Sequence, residues 1–319
     1  MHVLSSLLEK EDFLVRKISS QKNKIFRLLE MVWTVAFYKY NFLLIDTFST
    51  SNFNYALITS QIARFRNKAY IPILRGGNLP QRLDHNPKLS SLIFKHTIAN
   101  IAPSGYLKHE FEKRGYQTVY IPNILDLKDF SFKQRREIQP KLLWVRAFAQ
   151  LYNPQMAIKT LKELQKNYPK AELCMVGPKK DESWEETHAL VQSLGLESSV
   201  TFTGVMKREE WLKLSKDYDV FINTTTIDNT PVSVMEAMAV GLPVVSTYVG
   251  GVPYLVNNDV DGLLVNSNDV MAMSQAITDL LNHPDKVENL TFNARQKVEG
   301  FDWSVVKFQW QELLNKMLD

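Results

Sequence analysis

The stretch from Asp219 to Gly251 constrains the fold of this chain more than any other part of it. It opens with an apolar run, Val220–Ile222, which is followed by a polar loop. Thr230 then suits a helix cap, and Pro231 suits the first helical position, where no amide hydrogen is needed. A second apolar run follows Pro243. This order of strand, loop, helix and strand predicts a crossover between parallel strands of an α/β fold.

Two acidic residues, Asp228 and Glu236, stand eight positions apart around the start of that predicted helix. The N-terminus of a helix that follows a parallel strand offers unpaired amides and a favourable dipole to phosphate. Carboxylates beside it can accept hydrogen bonds from the hydroxyl groups of a sugar or a ribose. The segment therefore indicates a site for a phosphorylated sugar compound.

These residues resemble the donor motif of the retaining GT-B glycosyltransferases of glycosyltransferase family 4, also called glycosyl transferases group 1. That family carries a Glu-x7-Glu motif, and its second Glu matches Glu236 in M-E-A-M-A-V-G-L-P-V-V-S. Asp228 takes the place of the first Glu, with a side chain one methylene shorter. Further matches follow in the family's order: Ile121–Phe130, Lys141–Arg146, Leu173–Pro178, Val200–Val205, Asp261–Val265 and Phe301–Val306.

The resemblance implies an α/β protein of the GT-B class, with two Rossmann-like, doubly wound parallel-sheet domains that face each other across a cleft. We expect an acceptor-side domain at 1–130, a linker at 131–140 and a nucleotide-sugar domain at 141–302. A C-terminal helix at 303–319 is expected to return to the first domain. Apolar strand candidates alternate with longer amphipathic segments along the sequence, as this fold requires.

The amino-terminal end departs from the family pattern. Members of the family begin with a strand, a glycine-rich loop and a long helix, and this chain begins with residues 1–4, which already resemble that helix. Its first glycine is Gly76. We therefore expect a first domain that lacks its first strand and glycine loop, and the activity of this chain by itself is an open question.

The resemblance also implies roles for individual residues in the donor site. Asp228 is expected to face the donor sugar, Glu236 to bind the ribose hydroxyls and Arg146 to bind the diphosphate, because a guanidinium can contact two phosphate oxygens at once. The family places a Lys five or six positions after this Arg, where this chain has Leu151 and Tyr152. The other expected donor contacts are Gly177, Gly204, Val205, Asn229, Thr230, Pro231, Gly250 and Gly251.

In the first domain, Leu74–Pro80 follows a predicted strand. By the family resemblance, Arg75, Gly77 and Asn78 are expected to line the cleft and to contact the acceptor or the donor sugar. A plain tight turn would also explain the glycines at this point.

The sequence offers little to a metal ion. The Asp217–Asp219 stretch, an Asp-x-Asp, falls at a predicted helix-to-strand junction and is typical of a turn. The six His residues are scattered, without metal-ligand spacing. We therefore expect no metal and no cofactor. The single cysteine, Cys174, falls within an apolar strand pattern and suits a core position in a reducing compartment.

The resemblance implies a metal-independent retaining glycosyltransferase that moves a sugar from a nucleoside-diphosphate sugar to a glycan or lipid-linked acceptor, as in the synthesis of cell-envelope polysaccharides. The alternative is a degenerate, inactive scaffold that binds sugar nucleotides without turnover. A nicotinamide oxidoreductase is disfavoured because no G-x-G-x-x-G follows a predicted strand. No nucleic-acid-binding module is recognisable, so no nucleic acid is expected as a partner.

Basic residues are concentrated near the amino-terminal end: Lys10, Arg16, Lys17, Lys22, Lys24 and Arg27. They form either a solvated face or a contact with an anionic membrane surface. No uninterrupted apolar run is long enough to span a bilayer. We expect a cytoplasmic protein, with peripheral contact at the inner face of the membrane as an open alternative.

Overall fold

The structure is a computed structural model that describes residues 2–19, 21 and 23–317. Lys22 of the basic cluster and the outermost residues of the predicted domains, 1 and 318–319, lie outside the described residues. The chain divides into two compact units. The first comprises Met1–Ile124 with Trp303–Asp319, and the second comprises Leu125–Asp302.

The elements of the first unit begin with two helices and then alternate between strands and helices. They are α1 (His2–Glu9), α2 (Lys24–Phe37), β1 (Phe42–Thr47), α3 (Asn52–Phe65), β2 (Ala69–Leu74), α4 (Leu79–His85), α5 (Pro87–Phe94), β3 (Asn100–Ala102), α6 (Gly105–Glu112) and β4 (Thr118–Tyr120). The strands form a parallel sheet in the order β1-β2-β3-β4. The strands are short and mostly apolar, and helices cover both faces because a parallel sheet buries both.

The second unit repeats the alternation with more strands. Its elements are β5 (Lys141–Val145), α7 (Pro154–Leu164), β6 (Glu172–Val176), α8 (Ser183–Leu194), β7 (Val200–Gly204), α9 (Arg208–Leu214), β8 (Val220–Asn223), α10 (Val232–Ala239), β9 (Val244–Thr247), α11 (Val252–Leu255), β10 (Leu263–Val265), α12 (Val270–Asn282) and α13 (Pro284–Glu299). The last helix, α14 (Trp303–Asn315), belongs to the first unit.

The second sheet is parallel and six-stranded, in the order β10-β9-β8-β5-β6-β7. Successive residues of its strands point to opposite faces, so Leu142 and Trp144 pack into one core cluster while Leu143 packs into the other. In the first unit, one face packs under Phe53 and Phe111 and the other against α1 and α14. The predicted fold class, two parallel α/β sheets, is confirmed.

The predicted linker at 131–140 is not a free connection. The boundary between the units falls after Ile124, because Leu125 and Phe130 are buried in the core of the second unit. Arg135 is also buried, and its guanidinium donates hydrogen bonds to the carbonyl oxygens of Val240, Ser215 and Tyr218 at 3.0, 3.2 and 3.2 Å. The segment is therefore part of the second unit.

Candidate active site

The carboxyl ends of the central strands of the second sheet bring the predicted donor residues together. Arg146 follows β5 directly, and Asp228 lies in the loop between β8 and α10. From β5 the chain passes to β6 and β7 on one side, and then to β8, β9 and β10 on the other. The gap between β5 and β8 is thus the topological switch point of the sheet, where ligands of open α/β sheets bind.

Arg146 and Asp228 form an ion pair at this switch point. The Nη2 of Arg146 lies 2.5 Å from the Oδ2 of Asp228, and the two side chains are only 12% and 15% exposed. Arg146 Nε donates to Asn223 Oδ1 at 3.3 Å, and the guanidinium lies 4.9 Å from the centre of the Tyr152 ring. The guanidinium is therefore fixed by a carboxylate, an amide and an aromatic face, which lowers the entropic cost of binding a ligand.

The loop that carries Asp228 is held against Gly250 and Gly251. The Gly251 amide donates to the Asp228 carbonyl at 2.8 Å. A Cβ atom at Gly251 would lie 1.6 Å from the Asn229 carbonyl oxygen, and one at Gly250, where φ is +50°, would lie 2.2 Å from the Asp228 carbonyl oxygen. Only glycine permits this approach, so the pair sets the position of the acidic loop.

The start of α10 differs from the prediction. Thr230 is not the helix cap; Pro231 takes that position with an extended ψ of 107°, and the helix begins at Val232. Pro231 cannot adopt the first helical position here because this ψ lies outside the helical region. Within the part of the chain that the structure describes, the Thr230 and Ser233 hydroxyl oxygens are buried and make no hydrogen bond. Both hydroxyl groups thus stand beside the first turn of the helix.

Glu236 lies in the second turn of α10 and is 8% exposed, so it is not a solvent-facing helix residue. Its Oε1 atom lies 2.9 Å from the Nε of Arg208 in α9. Burial raises the pKa of the Glu236 carboxyl, and the Arg208 charge acts in the opposite direction. Arg208 lies 4.5 Å from the centre of the Phe130 ring. The carboxylate is therefore held in one orientation by a single cation.

The remaining predicted donor residues lie along the same sheet edge. Gly177 has φ +150°, and a Cβ atom there would lie 1.7 Å from the Arg146 carbonyl oxygen. Its amide donates to the Gly204 carbonyl at 2.9 Å, which ties the ends of β6 and β7 together. Val205 is exposed beyond β7, and Asn229 is buried next to Asp228. Gly177 therefore sets the strand ends, while Val205 presents its side chain to solvent.

Three residues of this site were not predicted: Asn223, Tyr152 and Arg208. Asn223 is a polar residue at the carboxyl end of a buried strand, which was a usable signal. Its side-chain amide donates to Ser246 Oγ at 2.8 Å while its oxygen accepts from Arg146. Tyr152 occupies a position where the family has Lys, and Arg208 opens a helix on another crossover. Nothing in the sequence around Tyr152 or Arg208 indicates these contacts.

The predicted residues of the first unit form a separate group. Arg75 follows β2, and its guanidinium contacts Asp46 Oδ1 at 3.1 Å and Asn123 Oδ1 at 2.7 Å. Gly77 lies between β2 and α4, and Asn78 precedes α4 without a capping bond from its side chain. Arg75 is thus already held by two side-chain partners within its own unit.

The Asp217–Asp219 stretch has a structural role. Asp219 Oδ2 accepts from the Gln139 amide at 3.0 Å, and its Oδ1 lies 3.6 Å from the Nε of Arg135. Across residues 2–19, 21 and 23–317, no group of three or more His, Cys, Asp or Glu side chains could hold a metal ion. Cys174 is buried in the sheet, which raises the pKa of its thiol.

Comparison with known proteins assigns the family. The family model described as glycosyl transferases group 1 matches residues 127–297, a range that includes Arg146, Asp228 and Glu236. The chain belongs to the glycosyl transferases group 1 family. The match lies wholly within the second unit, so the family's signature and the switch-point site fall in the same unit.

Two curated relatives illustrate the likeness in sequence. WcaL of Escherichia coli K12 is named as a colanic acid biosynthesis glycosyltransferase. It is 34% identical to this chain over 143 residues, which are 42% of this chain and 35% of that protein. AmsK of Erwinia amylovora, an amylovoran biosynthesis glycosyltransferase, is 33% identical over 129 residues, 38% of this chain and 32% of that protein. The matched stretch thus spans about a third of the length of these relatives.

Solved structures extend the likeness to both units. Anabaena Alr3699/HepE in complex with UDP and glucose matches with a TM-score of 0.78 at 18% identity, over 97% of this chain and 88% of that one. Sucrose-phosphate synthase from Thermosynechococcus elongatus matches with a TM-score of 0.75 at 20% identity, over 93% and 80%. At these identities the likeness establishes the fold, which is that of GT-B glycosyltransferases.

Proposed function

We propose that this protein transfers a sugar from a nucleoside-diphosphate sugar to a glycan or lipid-linked acceptor, with retention of configuration and without a metal ion. The observation that carries the proposal is the Arg146–Asp228 pair at the switch point, 2.5 Å apart and largely buried. In the proposal, Arg146 is the phosphate-binding cation and Asp228 the carboxylate beside it, at the point where a bound sugar would lie. This is the arrangement that leaving-group stabilisation in sugar transfer requires.

In this proposal Arg146 binds the diphosphate, whose negative charge grows as the glycosidic bond breaks. The donor and Asp228 would compete for the same guanidinium, so binding would release the carboxylate toward the sugar. The amides at the start of α10 and the Thr230 hydroxyl add hydrogen-bond donors for the phosphate oxygens. Glu236, oriented by Arg208, would accept hydrogen bonds from the ribose.

The bond changes balance without a dedicated base. The bond between the anomeric carbon and the phosphate oxygen breaks, and its electron pair stays on the departing diphosphate. The acceptor oxygen forms its bond to the same carbon from the same face, and its proton passes to the departing phosphate oxygen. Asp228 would stabilise the positive charge that develops on the sugar ring, because opposite charges interact strongly in a partly buried site.

The relatives support the chemical class of donor and product. HepE was solved with UDP and glucose and with UDP-glucose, which supports a nucleotide-sugar donor for this chain. The names of WcaL and AmsK refer to the exopolysaccharides colanic acid and amylovoran, which supports a role in cell-envelope polysaccharide synthesis. We place the reaction in the cytoplasm, at the inner face of the membrane where lipid-linked acceptors are found.

A second candidate, an inactive sugar-nucleotide scaffold, is favoured by one observation. Tyr152 stands where the family has a Lys, and its ring faces the Arg146 guanidinium at 4.9 Å. An aromatic ring orients a cation but adds no positive charge to a diphosphate site. Such a site would bind a donor and stabilise its leaving group less.

The test measures release of nucleoside diphosphate from a panel of nucleotide sugars by the full chain, with and without a chelator. We expect release that a chelator does not reduce and that falls at least tenfold in Asp228→Asn and Glu236→Gln, and a product whose anomeric signal in NMR matches the donor. Glu197→Gln, an exposed residue near the opposite edge of the sheet, is the matched control. Donor binding without release in the wild type would reject the enzyme in favour of the scaffold.

A further inference from the structure

Helix α2 of the first unit presents an apolar face that the described part of the chain does not cover. The face consists of Ile25, Phe26, Leu29, Trp33 and Phe37, each between 56% and 69% exposed. Their spacing of three and four residues aligns them along one side of the helix. The opposite side is anchored, since Thr34 and Val35 are buried and the Tyr55 hydroxyl bonds the Lys24 carbonyl. We call these five side chains the docking face.

A groove runs beside this face and adds positive charge to it. It has a volume of about 560 Å³ and is lined by Leu29, Trp33 and Phe37 on the helix and by Arg16 and Lys17 on the preceding segment. The Arg16 guanidinium lies 3.7 Å from the centre of the Tyr38 ring, and the Lys17 ammonium lies 3.1 Å from Glu9 Oε2. The cations are thus held at the rim of an apolar surface and remain open to solvent.

The charge of this region differs from that of the rest of the chain. Residues 16–39 contain six Lys or Arg and a single Glu, a net charge of +5, whereas the whole chain has a formal net charge of +4. Lys24 and Lys39 lie near the two ends of the helix, where long side chains can keep their charge in water while their stems cover apolar surface. An apolar face bordered by cations is the pattern of helices that lie in a membrane interface.

We infer that α2 docks the protein on an anionic lipid surface, with the docking face in the acyl boundary and Arg16, Lys17, Lys24 and Lys39 at the headgroups. A second copy of the chain is the less fitting occupant, because two faces with this net charge would repel each other. No described helix is both long and apolar enough to cross a bilayer, so contact through α2 would be peripheral. The inference rests on the proposed function at one point only, which is that the acceptor can be linked to a lipid.

The experiment compares sedimentation of the full chain with vesicles of phosphatidylglycerol and phosphatidylcholine and with vesicles of phosphatidylcholine alone. We expect stronger partitioning to the anionic vesicles, which Trp33→Ser with Phe37→Ser lowers by about tenfold or more. Neutralising Arg16 and Lys17 with Gln lowers it by about fivefold for each charge. Met271→Ser with Phe292→Ser, two exposed apolar residues of the second unit, is the control that leaves partitioning unchanged.

Circular dichroism and thermal midpoints show that each variant is folded. Equal loss in the control pair, or no preference of the wild type for anionic vesicles, would overturn the inference. A dimer in size-exclusion chromatography that Trp33→Ser with Phe37→Ser dissolves, without vesicle binding, would assign the face to a second copy instead. Thermal shifts with nucleoside diphosphates separate this test from the proposed function, since the docking-face variants should keep nucleotide binding.

Discussion

Both units of this protein are parallel sheets covered by helices, but the second unit holds its side chains in place more tightly than the first. The second sheet has six strands, and its carboxyl edge is crowded with groups that hold one another: Arg146 with Asp228, Glu236 with Arg208, and Gly251 with the acidic loop. The first sheet has four strands, two of them only three residues long, and its helix α2 exposes a row of large apolar side chains.

This difference indicates in which unit the chemistry of a site restricts the choice of residues. A site that binds a diphosphate needs fixed donors and charges, so few residues can change without loss. A surface that meets an acceptor or a lipid needs only shape, apolar area and net charge. The match to the family model falls in 127–297, within the second unit, while the likeness to solved structures covers both units.

The largest effect is expected at Gly251. A Gly251→Ala substitution brings its Cβ against the Asn229 carbonyl oxygen, 1.6 Å away in the present backbone, so the acidic loop must move. We expect nucleotide binding to be lost and the free energy of unfolding to fall by about 2–4 kcal/mol. Titration calorimetry and denaturant unfolding measure the two quantities.

Gly195→Ala is its control within the same unit. Gly195 has φ +65°, and nothing lies within 4 Å of the Cβ that alanine would add. It isolates the cost of backbone strain, about 1 kcal/mol. Equal costs at the two sites would show that the close approach at Gly251 is unimportant.

A smaller effect is expected when lysine replaces the arginine that follows strand β5 or the one that follows strand β2. Arg146→Lys removes the planar fork, and we expect the dissociation constant for a nucleoside diphosphate to rise about tenfold or more. Arg75→Lys in the first unit should leave that constant unchanged, because Arg75 contacts Asp46 and Asn123 rather than the switch-point residues. If both variants weaken binding equally, the assignment of the diphosphate to the second unit is wrong.

The third prediction concerns a residue whose replacement should lower the stability of the fold without changing nucleotide binding. Asn23 caps α2, since its Oδ1 accepts from the Ile25 amide at 2.9 Å and the Phe26 amide at 3.4 Å. Asn23→Ala should lower the free energy of unfolding by about 1 kcal/mol and leave nucleotide binding intact. Ser51→Ala is the control, because Ser51 precedes α3 without a capping bond from its side chain. Loss of nucleotide binding in Asn23→Ala would contradict the separation of roles.

The smallest effect is expected in the pH dependence of stability. Burial raises the pKa of Glu236, so the folded state binds more protons than the unfolded state between the ordinary and the raised pKa. The contribution of Glu236 is therefore most favourable in acid and is lost as the pH rises through the raised pKa. Glu236→Gln should be more stable than the wild type at neutral pH, by a margin that shrinks toward pH 4.

The measurement is the thermal midpoint as a function of pH, with Glu197→Gln as the exposed control. A margin that does not depend on pH would mean that burial and the Arg208 charge cancel, and a margin that grows toward acid would make the Arg208 charge the larger influence on the Glu236 carboxyl.

Much of the second unit was predictable because its signals are local. The apolar runs before Arg146 and Asp228 and the breakers at Gly241 and Pro243 mark strand and helix ends directly. The cap at Thr230 was predicted wrongly because composition favours Thr, while the structure gives Pro231 an extended ψ that delays the helix by one residue.

The contacts between crossovers could not be predicted in the same way. The Arg208–Glu236 pair joins helices 28 positions apart in the sequence, and nothing in either segment specifies the other. The contacts of Arg135 within 131–140 could not be predicted either, because its burial depends on carbonyl oxygens that a basic, polar sequence does not reveal. The roles of the site residues and the missing first strand stay predictions.

The buried guanidinium of Arg135 has a practical consequence for dissecting this protein. A fragment cut at residue 141 would leave the carbonyl groups of Ser215, Tyr218 and Val240 without their donor, at a cost of about 1–3 kcal/mol for each group stranded from water. It would also strip two apolar side chains, Leu125 and Phe130, from the interior. Recombinant expression of the second unit alone should therefore start no later than Leu125.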